Sequence, residues 1–236
     1  QISRVVNDCD QSKFSIGGAS VFRRFDHVLM QYGAPAGFRS YERILDWGCG
    51  AGRLTRYLLA EAEEWQAVWG AEVDPVNLNW CSAALPSGRF ELMPLHPPTH
   101  LPDSYFDLII GVSVFTHLRE PVAEEWLKEL KRIARPGAML LVTVQGSAVM
   151  ALAGAPGSIA RNVRRNGILV TGDNTQLRIA DDSEAYYVDV FHSVEYIRAR
   201  WSKHFNVLGV LPGVGLHQDL VVLRNEKAAG PVCQHR

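Results

Sequence analysis

The chain has 236 residues, 24 Lys and Arg against 25 Asp and Glu, a formal net charge of −1 and 47% hydrophobic residues. That is the composition of an ordinary globular protein, long enough for one large α/β domain and short for two. A charge so close to zero supplies no long-range attraction for nucleic acid or acidic lipid, which excludes a general polyanion-coating role.

In chain order, the opening QISRVVNDCD carries polar residues where a signal peptide needs an unbroken apolar stretch, and a start at Gln1 suggests a trimmed chain or a domain cut from something longer. Val21, Phe22, Phe25, Val28 and Leu29 then form an apolar stripe that predicts a packed helix over Ala19 to Gln31. From Tyr41 onward, β-rich runs alternate with helical patterns at a rhythm of about 25 residues, the pattern of βαβ units feeding a parallel sheet. The expected strands are Arg43 to Trp47, Ala67 to Val73, Arg89 to Met93, Phe106 to Val112 and Met139 to Val144, each read as buried on both faces. Val122, Trp126, Leu127, Leu130 and Ile133 mark a helix that opens near Pro121 and is expected to end at Arg135, Pro136 and Gly137. From Gln145 to Asp182 the periodicity loosens around a basic cluster, Arg161, Arg164 and Arg165, which suggests a lid or insertion. A helix from Ser193 to about Lys203 and strands near Phe205 to Leu211 and Leu220 to Leu223 close the chain.

Cys9, Cys49, Cys81 and Cys233 lie far apart with no CxxC pair, which is neither a disulfide framework nor a structural zinc pattern. No apolar run reaches the ~20 residues of a membrane span. The setting expected from these features is reducing and cytoplasmic, with no membrane and no nucleic-acid partner.

The chemistry concentrates in Ile44 to Leu54, ILDWGCGAGRL, where an apolar strand runs into Asp46, then Gly48, Gly50 and Gly52 alternate and a helix begins. Glycines at that spacing let backbone turn tightly and approach a ligand, and the helix start offers unpaired amides. A dinucleotide fingerprint has the order GxGxxG; here the third glycine comes one residue early and Arg53 takes its place. Asp46 would repel a pyrophosphate but suits a ligand with an ammonium group and no phosphate, which favours S-adenosylmethionine. Independently, WGAEVDP puts Glu72 at the carboxyl end of the second strand, where a carboxylate can accept hydrogen bonds from both ribose hydroxyls, with Asp74 as the fallback.

With DWGCGAG, GAEVDP, FDLIIGVSVFTHL and RPGAMLLVTV in this order, the sequence resembles the class I S-adenosylmethionine-dependent methyltransferases, in particular bacterial small-molecule members with an SVFTHL element. The resemblance covers about Gly18 to Asn225. It implies a Rossmann-like, doubly wound seven-stranded sheet in the order 3-2-1-4-5-7-6 with strand 7 antiparallel, an N-terminal helix, and a lid insertion after strand 5. The chain reads as a single domain, 1–236, with a helical cap (1–40), a cofactor-binding core (41–145), a lid or acceptor region (146–190) and a C-terminal helix and strands (191–236). Carried onto this sequence, Asp46, Trp47, Gly48 and Gly50 would meet the amino-acid end of S-adenosylmethionine, Glu72 its ribose and Val73 its adenine, with Ser113 beside the methionine end. Relatives usually have an Asp or Asn after the third strand, whereas this chain has Pro94, Leu95 and His96, so no side chain is assigned to the adenine amine.

Methyl transfer requires alignment, exclusion of water and, for some acceptors, removal of a proton. The candidate bases are His117 in the loop after the fourth strand, His192 in DVFHSVEYI and His217 in GLHQD. Tyr186 and Tyr187 could shape an acceptor pocket or belong to the core. His96 and His100 are four apart, but Pro97 and Pro98 disfavour the helix that would make them a metal pair, and no metal is expected. The reading is a methyltransferase for a small-molecule acceptor, by preference a hydroxyl of a sugar or secondary metabolite in natural-product biosynthesis, with a homodimer possible. The alternatives are an amine acceptor, a catalytically inactive relative serving as a partner subunit, and a nicotinamide oxidoreductase on the same strand-loop-helix.

Overall fold

In the computed structural model, which describes residues 11–152, 157–173 and 187–226, the apolar runs after Tyr41 become strands of one sheet. They are β1 (Arg43–Trp47), β2 (Ala67–Glu72), β3 (Arg89–Leu92), β4 (Phe106–Gly111) and β5 (Ala134–Val144), joined by two closing strands, β8 (Asn206–Gly215) and β9 (Gln218–Arg224). The sheet order is β3-β2-β1-β4-β5-β9-β8. Only β9 runs against the rest, pairing antiparallel with both β5 and β8. This is the expected seven-stranded order; the numbering moves up by two because β6 (Ile168–Asp173) and β7 (Val188–His192) form a separate two-stranded sheet.

Alternation along the strands assigns each residue to one of two cores. Leu45, Trp47, Ile109, Leu140, Val142 and Val221 face one side, where the helix Glu120–Ile133 contributes Trp126, Leu127, Leu130 and Ile133. Ile44, Leu108, Ile110, Leu141 and Val222 face the other, against Val21, Phe25, Val28 and Leu29 of the N-terminal helix. Full burial of such side chains stabilises by roughly 1.5–3 kcal/mol each, so both helix layers are held mainly by their apolar stripes.

Four expectations are corrected. β3 is a sheet edge with its outer residues exposed, since no strand lies beyond it. The helix opening near Pro121 stops at Ile133, because Ala134 already pairs with Phe106 as the first residue of β5. The stretch after Gln145 is more ordered than its weak periodicity suggests: it forms the helices Ser147–Leu152 and Gly157–Asn166 and then β6, while Arg161, Arg164 and Arg165 are exposed. The remainder of the lid region, 174–186, with Tyr186, lies outside the described residues, as do Cys9 and Cys233.

The fourth correction is the N-terminal helix, which spans Gln11–Gln31 and runs through Gly17 and Gly18. A glycine pair normally weakens a helix by about 1 kcal/mol per residue, but here tertiary contact decides. A Cβ on Gly18 would lie 2.2 Å from the carbonyl oxygen of Arg53 and 2.8 Å from the Tyr57 ring. The Tyr57 hydroxyl donates to the carbonyl of Ser15 at 2.8 Å. The helix therefore docks directly on the segment that follows the glycine loop. Gly18→Ala should cost roughly 1–3 kcal/mol in urea denaturation and weaken S-adenosylhomocysteine binding, and unchanged values of both would show that this close approach is not needed.

Candidate active site

The loop between β1 and the helix Thr55–Glu61 turns on three alternating left-handed residues, Gly48, Gly50 and Gly52, with φ of 72°, 55° and 72°. Gly48 is needed twice over, because a Cβ there would also meet the side chain of Val114 at 2.5 Å. This contact presses the loop after β4 against the loop after β1 and brings Ser113, its neighbour, to the same end of the sheet. Beneath the loop, the buried thiols of Cys49 and Cys81 both donate to the carbonyl of Gly50.

Glu72 ends β2, buried, with a carboxylate held by three backbone amides: Gly50 at 2.7 Å, Val73 at 2.9 Å and Asp74 at 3.0 Å. Burial pushes its pKa up and these amides draw it back down. Asp74 is not free to substitute for it, because its carboxylate caps the helix Pro75–Ala84 through the amide of Val76 at 2.9 Å. Val73 is partly buried against the core.

Asp46 is buried in β1 and accepts from the Thr55 hydroxyl at 2.6 Å. Desolvation raises its pKa to about 6, opposed by Thr55 and by the nearby charge of Arg53. The Trp47 indole turns away into the core against Phe115 and Trp126, so this residue has only its backbone to offer a ligand.

At the carboxyl end of β4, Ser113 is left-handed with φ of 63° although it is not glycine. Such strain persists where the surroundings over-determine it. Here the Ser113 amide donates to the Thr143 hydroxyl at 2.7 Å, the Ser113 hydroxyl to Gln218 Oε1 at 3.0 Å, and the Thr143 hydroxyl to the same oxygen at 2.5 Å.

The three histidines fare differently. His117 Nδ1 lies 3.0 Å from the carbonyl oxygen of Val188 and 3.4 Å from Asp189 Oδ1. Burial lowers its pKa, and the Val188 carbonyl and Asp189 work in the opposite direction. His192 is fully buried against the rings of Tyr196 and Trp201, with neither ring nitrogen partnered, and burial lowers its pKa to about 4. Both meet β7, which crosses the carboxyl edge of the main sheet: Tyr187 bridges to Leu118, Phe191 to Gln145, and the His192 amide donates to the Gln145 carbonyl at 2.8 Å. His117 meets that strand at Val188, four residues and about 13 Å from His192. His217 is exposed in the β8–β9 turn.

Away from this edge, His96 lies 3.4 Å from Glu125 and the His96–His100 segment is not helical. Among the described residues no group of three His, Cys, Asp or Glu could hold a metal ion, and no helix is long and apolar enough to cross a membrane.

The arrangement is a strand-loop-helix cradle lined by two carboxylates and backed by a second loop. Residues 44–137, which include that cradle, Glu72 and Ser113, match the family described as a methyltransferase domain. That segment is similar to methyltransferase domains. Solved structures share the fold. A methyltransferase of Methanosarcina mazei is 15% identical, with 79% of this chain and 93% of that one aligned at a TM-score of 0.58. The 1,6-didemethyltoxoflavin-N1-methyltransferase of Burkholderia thailandensis, solved with its substrate and S-adenosylhomocysteine, is 17% identical over 92% of this chain and 85% of that one, at 0.57. A methyltransferase of Aquifex aeolicus is 20% identical over 92% and 99%, at 0.52.

The residues present fit the methyltransferase cofactor. The left-handed backbone at Gly48, Gly50 and Gly52 lets the loop turn tightly beside Asp46 and Glu72, and a pyrophosphate in the same cradle would face both carboxylates. Thr55, Thr143, Gln218 and Asp189 escape sequence reading because each acts through a partner distant in the chain; only Thr55, nine residues after Asp46 and at the helix start, carries a local signal.

The two carboxylates can be tested separately. Glu72→Ala should weaken S-adenosylhomocysteine binding roughly tenfold or more in calorimetry, and unchanged affinity in a folded variant would remove the ribose role. The folded-state pKa of Asp46, about 6, lies above its ordinary 3.8, so its contribution to stability is present below about pH 4 and is lost as pH rises through 6. Cofactor-free Asp46→Asn should therefore gain on the unaltered protein by on the order of 3 kcal/mol between pH 4 and pH 7. A stability difference that does not change with pH would disprove the shift.

Proposed function

We propose that this methyltransferase acts on a hydroxyl of a small molecule, a sugar or secondary metabolite, with His117 as the general base and Asp189 as the residue that orients it. The supporting observation is the pair of oxygens at His117 Nδ1, Val188 O at 3.0 Å and Asp189 Oδ1 at 3.4 Å. A backbone carbonyl only accepts, so Nδ1 carries the ring proton and Nε2 is left with a free lone pair. With burial lowering its pKa from the ordinary 6.5, the imidazole is neutral and basic at pH 7. His192 is the weaker candidate, since a pKa of about 4 gives little driving force for accepting a proton.

When bound, S-adenosylmethionine supplies an electrophilic methyl group on a sulfonium. Asp46, Gly48 and Gly50 hold its amino-acid end, Glu72 its ribose and Val73 its adenine, while the strained Ser113 shapes the wall beside the methionine end. His117 draws the proton from the acceptor hydroxyl onto Nε2, and Asp189 stabilises the imidazolium so formed. The helices Ser147–Leu152 and Gly157–Asn166 and the β6–β7 pair serve as the acceptor cap and keep water from the reacting groups.

The test is a screen of sugar, phenol and amine acceptors with mass detection of a one-methyl gain. Methylation of hydroxyl compounds is expected, and methylation confined to amines would overturn the oxygen preference. With the acceptor in hand, His117→Ala should lower kcat by ~10²-fold or more and leave cofactor affinity intact, whereas His192→Leu should retain most activity. The unaltered enzyme should lose activity as pH falls through the His117 pKa, below 6.5. Full activity in His117→Ala, or loss confined to His192→Leu, would transfer the base role to His192.

A further inference from the structure

One side-chain amide at the carboxyl edge of the sheet has its oxygen engaged and its nitrogen free. Gln218 opens β9 and is only 8% exposed. Its Oε1 accepts from the Thr143 hydroxyl at 2.5 Å and from the Ser113 hydroxyl at 3.0 Å. The shorter contact fits O–H···O and is too short for N–H···O, so the oxygen of the amide lies against Thr143. The Thr143 hydroxyl already accepts from the Ser113 amide, which leaves its own proton to donate. Nε2 is thereby turned away from the two hydroxyls, and among the described residues nothing accepts a hydrogen bond from it.

The place of that nitrogen narrows what it can meet. Leu220 and Val222 pack on the face of the sheet covered by the helix Gln11–Gln31, and alternation puts Gln218 on the same face. Because β9 runs antiparallel to β5, its first residue lies at the carboxyl edge, where open α/β sheets bind their ligands. The adjacent carboxylate, Asp219, is engaged with the amides of Ser147, Ala148 and Gly213 and leaves Nε2 free. Unlike the sealed ring nitrogens of His192, Nε2 keeps an opening to its surroundings. Unmet donors on a nearly buried amide are costly, and a ligand oxygen at this edge would satisfy them.

We propose that Gln218 Nε2 recognises the methyl acceptor, donating to an oxygen that neighbours the hydroxyl to be methylated. This rests on the reading of the chain as a hydroxyl methyltransferase with Ser113 beside the methionine end of the cofactor. An amide N–H binds an oxygen and carries no charge, so it selects a second hydroxyl or a carbonyl over a C–H group without requiring an anion. The acceptor class that fits has two adjacent oxygens, one for the base and one for the amide, as in a catechol or the vicinal diol of a sugar. Ser113 and Thr143 hold the amide from its oxygen side, so the donor is oriented before the acceptor arrives.

Direct binding to the protein saturated with S-adenosylhomocysteine tests this without turnover, using catechol and phenol, which differ by that one oxygen. Catechol should bind roughly three- to tenfold more tightly than phenol, the range of a single hydrogen bond. Gln218→Glu keeps an oxygen for Ser113 and Thr143 and removes the N–H donors, whereas Gln218→Leu removes both. Each variant should bring catechol to within about twofold of phenol, and Gln218→Glu should hold S-adenosylhomocysteine within about twofold of the unaltered protein. Equal binding of the two probes by the unaltered protein, or no binding of catechol, overturns the proposal. So does a catechol preference that survives both substitutions, or a loss shared equally by catechol and phenol, which would leave Gln218 only as a support for Ser113. Loss of S-adenosylhomocysteine in Gln218→Glu would assign the amide to the cofactor and overturn it as well. Failure of the unaltered protein to bind S-adenosylhomocysteine would remove the cofactor assignment itself, whereas a complex that ignores the second oxygen removes this proposal alone.

Discussion

The site depends on one carboxylate and three amides. Glu72 ends the strand beside the glycine loop and accepts from Gly50 across the crevice and from Val73 and Asp74 on its own side. A buried carboxylate is tolerated only when it is hydrogen-bonded. By meeting that requirement with backbone from both loops, Glu72 fixes the width of the crevice between them. The left-handed glycines allow Gly50 to present its amide, and Gly48 N and Cys49 N both close onto the carbonyl of Ala71. Because Glu72 pairs with Leu92 of β3 and follows Ala71, which pairs with Trp47 of β1, its position follows from sheet register.

A second constraint acts at the far side of the crevice. Val114 fills the space a Gly48 side chain would need, so the loop after β4 cannot move independently of the cofactor loop. Ser113 is held in its strained conformation by Thr143 from β5 and Gln218 from β9, and Asp219 binds the start of the helix Ser147–Leu152 through the amides of Ser147 and Ala148. Three strands adjacent in the sheet but up to 105 residues apart in the chain thus meet at one edge. Crossing that edge, β7 carries Asp189 to His117. Below it a column of rings runs from Trp126 through Trp47, Phe115 and Trp201 to His192. This column is core, and it explains why the His192 imidazole is dry and weakly basic.

Much of the molecule is legible before any tertiary contact is known. Strand positions follow from apolar runs of strand length, and the Glu120–Ile133 helix from its 3.6-residue stripe. The nature of the ligand follows from Asp46, the glycine spacing and Glu72, because these are local chemical requirements written in nearby residues. The N-terminal helix reads short because its apolar stripe begins only at Val21, whereas its first turns are held by the close docking that Gly18 permits. The β6–β7 pair leaves little trace because neither strand has a long apolar run and the two lie far apart in the sequence.

Fold class, cofactor class and the glycine loop itself can all be read from residue order, since periodicity and backbone freedom are properties of neighbouring residues. Which histidine lies beside a carboxylate and which is buried with both ring nitrogens unpartnered emerge only once the chain has folded. Burial and pairing are relations between residues far apart in the chain, and the 3.4 Å between His117 and Asp189 exists only because β7 returns across the sheet. No local pattern records that return.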